Sequence, residues 1–384
     1  MNLSRVEKDR RFNTYSVPRN KSKLSKKDEG KETVPNANYL WINLFATSLK
    51  PHGRAALVMA NSASDARHSE ADIRKTLIEK NLIYAMLTLP SNMFYTVTLP
   101  ATLWFFDRAK ADDRILFIDA RNIFTQIDRA HREFSHEQIL DIAMISRLRI
   151  DDRKEFIRLV DRYFHQGMEQ LKLNKEKIKE VSKSLAAFIK ACNKNDIPDF
   201  SARLEEIRSL QAEYGKYRKS FDPIKIDKSN NFQRKLAAAF TPFFAAIHDM
   251  LKTVDKKVRL LEKENGNSKE AKNVKAELDL LHKEIKEAEY FFTHINWIQE
   301  RFPEAKYEDV TGLCKYATLD EVRVWVKSER QIARTNTDRH GRPRTQLAPS
   351  VSVCVRPCSS PSPPAGLRRP PRPGTRPTWR NALP

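Results

Sequence analysis

Apolar residues along the first third of the chain gather into short runs of strand length: "RAALVMAN" at 54–61, "LIYAMLTL" at 82–89, "TLWFFD" at 102–107 and "ILFIDA" at 115–120. A continuous run such as the first fits a strand covered on both faces. Between the runs lie helical patterns. One is capped by Asn36, continues to about Leu49 with Trp41, Phe45, Ser48 and Leu49 on one face, and stops at Lys50-Pro51-His52-Gly53. A second, "SEADIRKTLIEKN", opens at Ser69 with Asp72 at the capping-box position. This alternation predicts an α/β fold: a mostly parallel sheet with helices on its faces and an antiparallel edge where strands follow one another directly.

Past residue 134 the period becomes helical. "SHEQILDIAMISRL" and "DRKEFIRLVDRYFHQGMEQLKL" carry apolar residues three and four apart with charge opposite. Ile247, Leu251, Val254, Val258 and Leu261, then Val274, Leu278, Leu281, Ile285, Ala288, Phe292 and Ile295, continue those steps on either side of "EKENGNS". Two such seams joined by a Gly-Asn turn predict an antiparallel helical hairpin, packed on its own domain or receiving helices from a partner. Four regions follow: a basic loop over 1–35, an α/β portion over 36–134, a helical domain over 135–325 and a tail over 326–384.

Charge changes the picture at the tail. The net charge is +21, and from residue 331 onward ten arginines face one acid, Asp338, so that stretch carries +9 and the rest of the chain +12. The same stretch has no lysine and holds eleven of the twenty prolines. It cannot bury enough apolar surface to order itself, so it is expected to be disordered. It reads either as an arginine-rich arm for nucleic acid or as translation in a shifted frame. A cationic body gains affinity for polyanions by releasing their counterions. The stretch with Arg19, Lys21, Lys23, Lys26 and Lys27 could contact phosphates, or be a solvated loop.

The four cysteines lack the spacing of a zinc site, so no metal is expected, and they fit a reducing compartment. No apolar run reaches membrane length and the first residues have no signal-peptide pattern, so a cytoplasmic location is expected. The six glycines before the tail form no G-x-G, and no G-x-S-x-G, H-E-x-x-H or Walker A motif occurs.

The stretch "VPNANYLWINLFATSLKPHGRAALVMANSASDARHSEADIRKTLIEKNLIYAMLTLPSNMFYTVTLPATLWFFDR", with "ILFIDARNIFTQIDRAHREFS" and "WIQERFPEAKYEDVTGLCKYATLDE", closely resembles the modification subunit of type I restriction-modification systems, the N6-adenine DNA methyltransferases. The resemblance runs from about Phe12 to Ala317. It implies a partial Rossmann-like methyltransferase sheet (its C-terminal half), S-adenosylmethionine as methyl donor, and DNA, a specificity subunit, a restriction subunit and a second modification subunit as partners. In the family a glycine turn holds the donor and an Asn-Pro-Pro-Phe type motif grips the flipped adenine. Neither motif occurs before the tail, so the chain is expected to be a C-terminal portion, inactive alone, with no catalytic residue of its own; the alternative is a non-catalytic helical fragment that docks a specificity subunit. After "ATLDE" the sequence departs from the family pattern, which favours the shifted-frame reading of the tail.

By position, "PSNMFYTV" matches the family's late loop facing the flipped base, where an aromatic stacks on adenine. Phe94 is the first candidate, unless it tucks under the loop as core, and Tyr95 the second. Asn92 either bonds the base or caps the turn. Arg67 and His68 lie past a strand end, on the side where open α/β sheets bind ligands, and read as site or loop.

Overall fold

A computed structural model describes residues 3–19, 34, 36–265 and 269–322. The tail and Lys21, Lys23, Lys26 and Lys27 lie outside the described residues.

Two short helices, α1 (Leu3–Glu7) and α2 (Arg10–Asn13), open the described chain. Helix α3 (Asn38–Ser48), strand β1 (Arg54–Ala60), helix α4 (Ser69–Glu79) and strands β2 (Ile83–Thr88), β3 (Ala101–Asp107) and β4 (Arg114–Asp119) follow. A small ribbon, β5 (Thr125–Gln126) and β6 (Arg132–Glu133), leads into helices α5 (His136–Arg149), α6 (Arg153–Ala191), α7 (Ser201–Ser220), α8 (Ile226–Asn265) and α9 (Lys269–Arg301), and the last described strand is β7 (Cys314–Thr318).

The sheet has the order β1-β3-β2-β4-β7, and of its four neighbouring pairs only β2–β4 is parallel. The expectation of a mostly parallel sheet is thereby corrected. The cause lies in the connection from β2 to β3: residues 89–100 fold back on themselves as a loop with no crossover helix, so the two strands pair antiparallel. Strand β1 is also not covered on both faces. It lies at the edge with alternate residues exposed, Val58 among them. Apolar edge strands expose every second side chain while the run still reads as continuous.

Helices α3 and α4 close one face of the sheet around Trp104, Phe106 and Ile83. The buried side of α3 is Tyr39, Leu40, Ile42, Asn43 and Ala46; of the expected face Leu49 is buried and Phe45 half-buried, whereas Trp41 and Ser48 point outward. Asn43 explains the difference: its Nδ2 donates to the carbonyls of Phe12 and Ser16, so a polar residue belongs to the inner face. No capping box forms at α4. Ser69 is already helical and its hydroxyl donates to the Arg19 carbonyl, and His68 precedes the helix with a positive φ of 61°. The described part of the basic stretch is likewise no plain loop, because Leu3, Val6 and Val17 bury against Leu40.

The other face of the sheet packs against α5, α6 and α9, and one continuous core runs from Leu87 and Leu116 through Phe156, Phe164 and Phe292 to Val258 and Leu278. Helix α5 begins with a capping box: the Ser135 hydroxyl accepts from Gln138 N–H while Gln138 accepts from Ser135 N–H. This pairing satisfies two of the open donors of the first turn. All twelve seam residues of α8 and α9 are buried within the chain, at 4% exposure or less. Helix α6 fills the seam, with Asn174 Nδ2 donating to the Glu284 carbonyl and Gly167 facing the ring of Phe292. That corrects the reading in which the seam receives a partner's helices. Between α8 and α9 the contacts are Phe240 on Phe292, His248 to Glu289 and Glu262 to Lys275, in opposite order along the two helices. After the helices β7 returns to pair with β4.

Candidate nucleic-acid interface

Three chain crossings meet at one end of the sheet. The register pairs Ala60 with Ala101 and Thr88 with both Thr102 and Asp119, so the exit of β1, the 89–100 loop and the exit of β4 lie side by side. Asn61, just past β1, donates its N–H to the Pro100 carbonyl and accepts at Oδ1 from the Thr102 hydroxyl, 2.9 Å away. Asp119 is held below the ordinary carboxylate range: burial raises it, but two bonds from the Arg121 guanidinium at 2.8 and 2.6 Å, with the Arg121 N–H, outweigh that. A cation at a strand exit is thus fixed by its own neighbour.

The 89–100 loop folds back on itself. Asn92 N–H donates to the Thr98 carbonyl and Val97 N–H to the Phe94 carbonyl, while Asn92 takes a φ of 62°, a left-handed conformation asparagine tolerates better than most residues. Asn92 therefore shapes the turn with its backbone. Phe94 is 41% exposed, so it does not tuck under the loop as core. Tyr95 is 89% exposed, and Val97 and Leu99 beside it are also open to solvent. Of the two aromatics, Tyr95 is the more exposed.

The ribbon braces this loop. Arg132 N–H donates to the Asn92 carbonyl at 2.9 Å, and its guanidinium donates to the Ser91 hydroxyl while lying over the Phe124 ring, 4.0 Å from the centroid. At the ribbon tip the Asp128 carboxylate accepts from the N–H groups of Ala130 and His131 and pairs with His131 Nδ1 at 2.7 Å. The His131 bond is the main cause holding the Asp128 carboxyl below its ordinary value. The His131 ring in turn lies 4.7 Å from the ring of Tyr95, tilted by 45°.

Arg121, Asp128, His131 and Arg132 were not legible as a site from the sequence. The available signal was the Asp128-Arg129-Ala130-His131 tetrad between two short strands, an Asp whose side chain caps its own turn. Of the candidates named from sequence, Arg19 binds Ser69 through both backbone groups and pairs its guanidinium with Glu7. Arg67 and His68 are exposed on the loop before α4. The structure groups neither Arg19 nor this pair with Tyr95.

The methyl donor of the resembled family needs a glycine turn at a strand exit. The described glycines lie elsewhere: Gly53 before β1, Gly167 and Gly215 inside helices, Gly312 before β7. The residues described here therefore do not fit S-adenosylmethionine. Among them no group of three or more His, Cys, Asp or Glu side chains is placed to hold a metal, and no helix is long and apolar enough to cross a membrane.

Comparison with known proteins agrees with the region that carries this loop: residues 7–163 match the family model for N-6 DNA methylase. Residues 7–163 are thus similar to the N-6 DNA methylase family. The methylase subunit of the type I restriction enzyme MjaIX from Methanocaldococcus jannaschii is 40% identical over 121 residues, 29% of this chain and 22% of that protein. The HindI methylase subunit from Haemophilus influenzae is 39% identical over 110 residues, 28% of this chain and 25% of its own length. The chain thus spans 22–29% of the length of the curated relatives it matches. Among solved structures, a type I restriction-modification methyltransferase subunit from Streptococcus thermophilus matches 37% of this chain and 28% of its own, with 22% identity and a TM-score of 0.31.

Proposed function

We propose that this chain works as part of a type I modification subunit, which transfers a methyl group from S-adenosylmethionine to adenine N6 in DNA. The 89–100 loop supplies the wall that faces the extruded base, and Tyr95 stacks on it, with Phe94 beside it and Asn92 setting the turn. One observation carries the reading: a tyrosine 89% exposed on a hydrogen-bonded loop at the exit end of the sheet, within the matched region. Extruding a base costs a few kcal/mol, and stacking on an aromatic returns about 1–3 kcal/mol of it. An exposed ring has no comparable gain in water.

In this reading the strands form the C-terminal half of a Rossmann-like methyltransferase sheet, and α8 and α9 form an antiparallel hairpin within a helical part that meets a specificity subunit, a second modification subunit and a restriction subunit. The donor turn and the Asn-Pro-Pro-Phe clamp are not among these 384 residues, so methyl transfer needs groups the chain does not itself hold. Arg19 and the lysines at 21, 23, 26 and 27 contribute phosphate contacts. A surface ion pair such as Arg19–Glu7 contributes about 0–1 kcal/mol, so DNA can displace it.

The test is co-expression with a specificity subunit. Co-purification, with no incorporation of labelled methyl into DNA by the chain alone, is the expected result. Methyl incorporation by the chain alone would remove the claim that outside groups are required, and failure to co-purify would remove the assembly role.

A further inference from the structure

Among the described residues Tyr95 is the most exposed of the large apolar side chains, yet it is not loose: one neighbour orients it. That neighbour, His131, is fixed in turn by Asp128, which holds both its backbone N–H and its ring Nδ1. The strand that begins right after His131 is tied back to the loop carrying Tyr95 through Arg132 N–H and the Asn92 carbonyl. The chain of support therefore runs Asp128, His131, Tyr95, across two segments 36 residues apart in sequence at their contacting rings.

We infer that His131 is a positioning residue for base recognition, holding one side of the Tyr95 ring so that its other face is ready for a nucleobase. This deepens the proposed function and rests on it. The physical reason is preorganisation. A free tyrosine must give up side-chain freedom when a base stacks on it, whereas a ring already set against another aromatic has lost that freedom beforehand. The geometry also explains why a half-buried histidine is pinned by two bonds to one carboxylate. A solvated turn residue gains nothing from a fixed ring plane, while a platform depends on it.

The experiment uses the full chain and a single-stranded DNA oligonucleotide carrying 2-aminopurine, whose fluorescence falls when it stacks. The wild-type chain should quench it saturably, and Tyr95→Ala should abolish the quench. His131→Ala should weaken binding roughly three- to tenfold and leave a smaller quench at saturation, while His131→Phe, which keeps the ring and drops the bond to Asp128, should return both to within about twofold of wild type. Both positions are at the surface, and unchanged melting temperatures will show that the variants fold.

No saturable quench by the wild-type chain, or a Tyr95→Ala variant that quenches as well as wild type, removes the base-facing reading and this inference with it. A Tyr95→Ala loss with His131→Ala unchanged removes the inference alone. Failure of His131→Phe to restore the signal also overturns it, because the effect would then come from the bond to Asp128 and not from the ring.

Discussion

His294 Nδ1 lies 2.5 Å from Asp141 Oδ2, and both side chains are almost wholly inside the protein. Asp141 belongs to α5 and His294 to α9, and the Tyr163 hydroxyl of α6 donates to the second Asp141 oxygen at 2.9 Å. Burial holds the Asp141 carboxyl above its ordinary value despite the bonds from His294 and Tyr163. Three helices therefore meet at one carboxylate. Asp141→Ala or His294→Ala should each cost about 3–5 kcal/mol, since either leaves a buried polar partner unmatched. Urea unfolding of the double variant should show a loss well below the sum of the two single losses.

Gly167 faces the ring of Phe292 so closely that a Cβ would stand 2.6 Å from Cε2. The ring cannot easily yield, being packed among Phe164, Phe240 and Phe244. Alanine is favoured over glycine by about 1 kcal/mol within a helix, but overpacking costs about 1–3 kcal/mol. Gly167→Ala should therefore destabilise the chain. Adding Phe292→Leu should make the alanine far less harmful than it is alone, which thermal denaturation of the four variants would reveal.

The Lys110 ammonium is inside the protein, bonded to Asn81 Oδ1 at 2.8 Å and the Ile83 carbonyl at 3.0 Å. Burial pulls its pKa down to about 8 from 10.5, against a weaker opposing pull from Asp112. Between those values the unfolded chain binds a proton that the folded chain has released, so this group adds stability as pH rises through that window. Lys110→Met has no such group. Wild type should gain stability relative to the variant from pH 8 to pH 10.5, and parallel melting curves over that range would contradict the assignment.

Tyr95 separates folding from recognition. Its ring is almost fully solvated, so Tyr95→Ala should shift the unfolding free energy by no more than about 0.5 kcal/mol. The same change should lose most of the affinity for a single-stranded oligonucleotide, and Phe94→Ala should lose less. Titration by anisotropy would give both numbers.

Much of the α/β portion was legible because strand-length apolar runs bounded by turns leave few alternatives: all four runs form strands. Strand direction was not legible, since it depends on how many residues intervene and where they turn. The inner face of α3 was only partly legible because Asn43 is polar by composition and buried by partnership with two carbonyls. The seam residues of α8 and α9 were read correctly as apolar, but what fills them, α6, is a tertiary fact no period carries. At the candidate site the sequence pointed to the loop and to both aromatics. It did not rank Tyr95 above Phe94 or join His131 to them, because exposure and long-range stacking are decided by neighbours.

The Tyr316 hydroxyl donates to Asp112, 204 residues earlier, and β7 around it is the outermost strand on the β4 side of the sheet. A pairing across so long a stretch is slow to close, because loop entropy must be met before the contacts form. As the chain emerges from the ribosome, β4 must wait uncovered on that side until all five long helices have been made. Helices rich in local contacts can form during that wait, and β7 then arrives as a clasp that locks the helical layer to the sheet. A chain released before residue 314 would have its helices complete and its sheet open, with an adhesive edge where Tyr316 should lie.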